Sequence, residues 1–177
     1  MIISADAQKT LFTDVHQRQD IEACGLLTGC IDDDGNWYVE QVHPLRNLFN
    51  SSVYFEFEPE DVLAVELEYP GKIVGAYHSH PTGFPAASST DRANMRRLNV
   101  EGESPWVWLI VIGPFHEEKG QYKTVAYHYY ELEGLRKIPI ELEARTEIEE
   151  DTEAIPDNIH KAQQMMMKKR SDIWVEE

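Results

Sequence analysis

Residues 72–77, Lys-Ile-Val-Gly-Ala-Tyr, form a β-prone run that leads without a break into His78-Ser79-His80-Pro81. Proline lacks the N–H that a sheet ladder needs, so the strand must end there. Side chains alternate faces along a strand, which lets His78 and His80 point the same way and grip one metal ion. Two histidines leave a zinc ion short of protein ligands, because a catalytic site holds three and keeps a fourth position open. Asp91 can supply the third. It sits at the start of the next predicted helix, headed by Ser88-Ser89-Thr90-Asp91, beyond a loop whose Gly83 and Pro85 allow the chain to turn back. Two neutral imidazoles and one carboxylate would leave a zinc centre at net +1, which suits polarisation of water.

The remaining chain alternates helical and strand signals. Met1-Ile2-Ile3 reads as a short strand, and Ser4 or Asp6 can cap a helix on which Ala7, Leu11, Phe12 and Val15 recur at helical spacing, ending near Gln19. Ala23 to Ile31 and Trp37 to Val42 flank the turn-forming Asp32-Asp33-Asp34-Gly35 and predict a hairpin. Asn47 to Ser52 reads as a loop. Val53 to Phe57 alternates as a strand, and Pro59 opens a helix through Leu67. Trp106 to Ile112 and Thr124 to Tyr130 are two further strands. Interleaved strands and helices predict an α/β (α+β) fold, with a sheet against helices.

The chain has 177 residues, enough for one domain and an appendage. Composition shifts after Gly134 to an acidic stretch between Glu141 and Asp157, followed by a helix that Asn158 can cap and that contains Met165-Met166-Met167. The predicted division is a domain over residues 1–134 and an acidic linker with a helical tail over 135–177. This tail could dock on its own domain or support a homodimer. A formal charge of −16 repels phosphates and anionic head groups, which argues against nucleic acid and membrane partners and favours a partner with a basic segment. No signal-like start and no apolar run of spanning length is visible, predicting a soluble, cytoplasmic protein. Cys24 and Cys30 are expected as reduced thiols of one buried strand.

Each part of the histidine motif has an ordinary alternative. A His-x-His pair can be structural, and Ser88-x-x-Asp91 is equally a capping box. The combination is rarer: with 7 histidines in the chain, His-x-His followed at these spacings by Ser and Asp arises by chance on the order of once in a thousand such sequences. The run from His78-Ser79-His80-Pro81 to Ser88-Ser89-Thr90-Asp91, with Ile21-Glu22-Ala23-Cys24-Gly25-Leu26-Leu27-Thr28-Gly29 before it, resembles the JAMM (MPN+) zinc metalloprotease family in its prokaryotic JAB-domain form. The resemblance covers roughly residues 1–130 and departs at Ala87, where prokaryotic relatives often carry proline.

The resemblance implies the MPN/JAMM fold, a mixed β-sheet flanked by helices in a cytidine-deaminase-like arrangement. It implies Zn2+ bound by His78, His80 and Asp91, with Glu22 and Ser88 catalytic. Glu22 would move protons between water and the leaving amine, and the Ser88 hydroxyl would donate to the oxyanion. Without the motif, Glu22 would read as a solvated strand-end charge and Ser88 as a cap. The implied function is a zinc-dependent isopeptidase or peptidase cutting the amide bond after the Gly-Gly end of a ubiquitin-like protein. A hydrolase that frees cysteine or another small amine from a ubiquitin-like sulfur-carrier protein is the alternative, and a non-catalytic MPN scaffold is disfavoured because the ligands are intact. His16, His43, His116, His128 and His160 lack ligand spacing.

Overall fold

The computed structural model describes residues 1–115 and 122–144. Ser4 caps helix α1 (Ala5–Gln17) by accepting the Ala7 N–H, after the two-residue strand β1 (Ile2–Ile3). Strands β2 (Cys24–Ile31) and β3 (Trp37–Leu45) form the expected hairpin. Asp32 holds its turn by accepting the Asp34 and Asn36 N–H groups at 3.0 and 2.8 Å. Helix α2 (Pro59–Glu68) precedes β4 (Ile73–His80), which runs through both histidines to the residue before Pro81. Helix α3 (Ser89–Arg96) continues into a π turn (Arg97–Glu101), and β5 (Val107–Ile112) and β6 (Lys123–Tyr130) follow.

One sheet contains every strand of the described residues. Its spatial order is β7-β6-β5-β4-β2-β3-β1-β8, with β7 (Gly134–Ile138) and β8 (Glu141–Leu142) as the two edges. β4 lies between antiparallel β2 and parallel β5, so the histidine-bearing strand is central and buried on both faces. The alternation of β5 shows how the two cores divide. Val107, Leu109 and Val111 pack with α1 residues Ala7, Leu11, Phe12 and Val15, whereas Trp108, Ile110 and Ile112 pack with Val65 of α2 and Met95 of α3. Mixed pairing with helices on both faces gives the expected α+β architecture.

The N-terminal helix is fastened to the sheet by a buried polar group. Tyr77 donates to Asp14 at 2.6 Å, and Arg18 donates to the same carboxylate while also reaching Leu45 O at 2.7 Å and Cys24 O at 2.9 Å. Gly25 makes room for this: a Cβ there would lie 2.2 Å from His43 O and 2.5 Å from a Tyr77 ring carbon.

Three sequence expectations change. Within residues 135–142, expected in the linker, lie most of β7 and all of β8, which extend the two edges of the sheet; the compact unit runs from Met1 to Ala144. Their short backbone runs pair with β6 and β1, and pairing depends on an available edge as much as on composition. The helix after Asn158 and most of the acidic stretch lie outside the described residues. Val53 to Phe57 is a loop with a single antiparallel bridge, Phe57 to Asn47, rather than a strand. Cys24 is buried as expected, but Cys30 is exposed near the hairpin tip, and both thiols are free. Among the described residues, no helix is long and apolar enough to cross a membrane.

Candidate metal centre

His78 and His80 stand on one face of β4, as period-two alternation requires, and Asp91 reaches them from the first turn of α3. Their ligand atoms converge. The two Nε2 atoms are 3.0 Å apart, Asp91 Oδ1 lies 3.4 Å from His78 Nε2, and Asp91 Oδ2 lies 3.5 Å from His80 Nε2. A tetrahedral ion with bonds of about 2.0–2.1 Å would place its ligand atoms about 3.3 Å apart. The cluster therefore has the size and donor set of a metal site.

The surroundings fix each ligand. His80 Nδ1 donates to Phe84 O at 2.9 Å, which leaves the Nε2 lone pair facing the cluster. Phe55 stacks on the His78 ring with centroids 4.6 Å apart, and His78 Nδ1 is buried without a hydrogen-bond partner among the described residues. Ser88 and Asp91 form a reciprocal capping box. Ser88 Oγ accepts the Asp91 N–H at 3.1 Å, and the Ser88 N–H donates to Asp91 Oδ2 at 2.7 Å. The cap that starts α3 thus also aims the carboxylate.

Burial opposes ionisation of Asp91, but its contacts with His78 and His80 and the hydrogen bond from Ser88 outweigh it and hold the carboxyl far below its usual range. Burial lowers the His78 pKa despite Asp91 beside it. For His80, burial is overcome by Asp91, the Phe84 carbonyl and Glu22, and the net shift is upward. Metal ligation needs both imidazoles neutral and Asp91 ionised; the shifts at His78 and Asp91 run in that direction, whereas the shift at His80 runs against it and would be opposed by a bound cation.

Glu22 lies just before β2, 5% exposed, with Oε1 3.9 Å from His80 Nε2. Burial pushes its carboxyl up to about 7, with His80 pulling it down and Asp91 adding to the rise. Glu22, His80 and Ser88 line one cleft of about 310 Å³ together with Val53, Thr82 and Phe84. All five residues singled out in the sequence therefore meet. The Ser88 cap is present, and because it uses the hydroxyl oxygen as an acceptor it leaves the O–H proton able to donate.

The sequence reading missed the supports. Ser79, between the ligands on the opposite face, accepts the Ala23 N–H at 2.9 Å, and Asn47 donates to Glu22 O at 3.0 Å. The only sequence signal was an asparagine opening a loop. His16, His43 and His128 bond elsewhere, to Phe115 O, Thr28 and Trp106 O. His116 and His160 lie outside the described residues.

Comparison with known proteins gives concordant results. The family described as prokaryotic homologs of the JAB domain matches residues 4–126, well over half of the chain. A Pyrococcus furiosus protein named desampylase is 37% identical over 107 residues, 59% of this chain; the chain spans 65% of that relative's length, just under two thirds. A Haloferax volcanii desampylase is 34% identical over 100 residues, covering 51% of this chain and 68% of its own. The solution structure of a Desulfitobacterium hafniense protein, 27% identical, superposes with a TM-score of 0.64 over 83% of this chain and 96% of that one. With the family match running from residue 4 to 126, across the sheet that carries the His78, His80 and Asp91 cluster, the chain belongs to the prokaryotic JAB-domain family.

Proposed function

We propose that this protein is a zinc-dependent isopeptidase that hydrolyses the amide bond after the C-terminal Gly-Gly of a ubiquitin-like protein. The observation that carries the reading is a buried glutamate, Glu22, held 3.9 Å from a ligand histidine on the wall of an open cleft. The relatives named desampylase support it. His78, His80 and Asp91 would hold the zinc, which when bound supplies Lewis acidity that lowers the pKa of water toward about 7 and polarises the scissile carbonyl.

The chain's own residues do the rest. Glu22 accepts the proton released as a water oxygen attacks the carbonyl carbon, and returns it to the amine nitrogen as the carbon–nitrogen bond breaks. A carboxyl pushed up to about 7 is matched to both halves of that transfer at neutral pH. Ser88 donates its O–H to the carbonyl oxygen as negative charge develops there. Val53 and Phe84, 72% and 52% exposed, wall the cleft with apolar surface, which suits a substrate tail without side chains.

The test uses ubiquitin-like proteins fused through Gly-Gly to a protein, to a lysine side chain or to cysteine. Zinc-loaded protein should cleave such a fusion, chelation should stop it, and Glu22→Gln should remove most turnover while keeping zinc. Cleavage confined to the cysteine conjugate would instead identify the sulfur-carrier hydrolase. Intact fusions throughout, with zinc at one per chain, would refute the enzymatic reading.

A further inference from the structure

We propose that Asn47 is a positioning residue that fixes Glu22 for proton transfer and couples it to the loop forming one wall of the cleft; this rests on the role proposed for Glu22 above. Asn47 is 1% exposed. A buried amide there must have its hydrogen-bonding capacity satisfied, and every one of its polar atoms is used. Nδ2 donates to Glu22 O at 3.0 Å and to Tyr54 O at 2.9 Å, and Oδ1 accepts the Phe49 N–H at 3.1 Å.

Those bonds grip Glu22 from both sides. Its N–H donates to Ser51 O at 2.7 Å, and its carbonyl is held by Asn47, so the peptide groups on either side of its α-carbon answer to the 47–57 loop. The same loop carries Val53 into the cleft and lays Phe55 on the ring of His78. Its strand pairing is limited to the bridge from Asn47 to Phe57, and its internal backbone bonds are Leu48 N–H to Glu56 O at 3.1 Å and Asn50 N–H to Asn47 O at 3.3 Å. Within it, the Asn47 side chain is the group that ties both the turn at Phe49 and the Tyr54 carbonyl to Glu22. A carboxylate displaced by about 1 Å from its working position loses on the order of a hundredfold in rate.

The proposal separates two functions of one side chain. Oδ1 shapes the turn through Phe49, whereas Nδ2 orients Glu22 and Tyr54. Asn47→Asp keeps the volume and the acceptor but loses both donors. Asn47→Ser keeps a short acceptor for the turn, with a hydroxyl that cannot span to Glu22 O.

The experiment measures kcat and KM on a cleaved Gly-Gly fusion, with zinc content and thermal unfolding of each variant. Expected is a 10- to 100-fold loss of kcat in Asn47→Asp and Asn47→Ser, with KM within about threefold, one zinc per chain and cooperative unfolding. In a Glu22→Gln background, Asn47→Ser should lower the residual rate by no more than about twofold, because the effect runs through Glu22. Wild-type kcat in folded Asn47→Ser, beside an inactive Glu22→Gln, would overturn this inference alone. An equal loss in both backgrounds, or loss of zinc or of cooperative unfolding in both variants, would overturn it in favour of a general structural role. Unchanged turnover in Glu22→Gln would overturn the role of Glu22 itself, and the inference with it.

Discussion

Replacing Arg18 by methionine should destabilise the domain far more than an ordinary surface change. Methionine keeps most of the apolar stem and removes the guanidinium, which isolates the charge. Arg18 donates to both oxygens of Asp14 and to the carbonyls of Leu45 and Cys24, with the Asp14 side chain 10% exposed. Removing one partner of a buried ion pair costs about 3–5 kcal/mol, because the remaining charge stays buried. Tyr77 still donates to Asp14 at 2.6 Å and Arg18 retains some exposure, so about 3 kcal/mol, the low end, is expected. That is a large share of a domain's usual ~5–15 kcal/mol. Urea unfolding at neutral pH measures it as a drop in midpoint with an unchanged slope. Adding Asp14→Asn should restore at least half of the loss, since the neutral amide keeps an acceptor for Tyr77 and abolishes the orphaned charge. A loss below about 1 kcal/mol, or no recovery in the double variant, would refute the account. The first result would mean that solvent screens the pair. The second would place the loss in the two carbonyls or in packing.

Other expectations follow from the same geometry. Ser88→Ala should lower stability by about 1 kcal/mol through the lost cap and kcat by about a hundredfold through the lost oxyanion donor, which urea unfolding and fusion cleavage separate. Iodoacetamide at pH 8 should label one thiol of the folded protein, Cys30, because Cys24 is fully buried and burial pushes its pKa up to about 12; labelling of both before unfolding would contradict this. In chelator, Glu22→Gln should be more stable than the parent, and the gain should grow with pH. A carboxyl raised from 4.5 to about 7 on folding binds extra protons in the native state between those values, so the parent loses stability as pH rises through them. The advantage should be about 1 kcal/mol at pH 5 and about 3 kcal/mol at pH 8, and a pH-independent difference in paired urea titrations would reject it.

Local chemistry was legible in the sequence. The His78 and His80 pair declared itself because strand alternation is an invariant of the backbone, and Ser88 to Asp91 because a capping box has fixed spacing. Helix α1 followed from Ala7, Leu11, Phe12 and Val15, and the hairpin from Asp32 to Gly35, since both depend on neighbours a few residues apart. Tertiary structure alone decided the rest. Val53 to Phe57 has strand alternation, yet the segment meets Asn47 and the His78 ring instead of a free sheet edge, and an edge is what turns an alternating run into a strand. Leu135 to Leu142 looked like tail because acidic composition follows it; pairing with β6 and β1 made it sheet. Asn47 and Ser79 serve residues 25 and 56 positions away. A hydrogen bond at that separation leaves no periodic trace in the chain, so only the folded arrangement of β2, β4 and the intervening loop could show which polar side chains hold the glutamate.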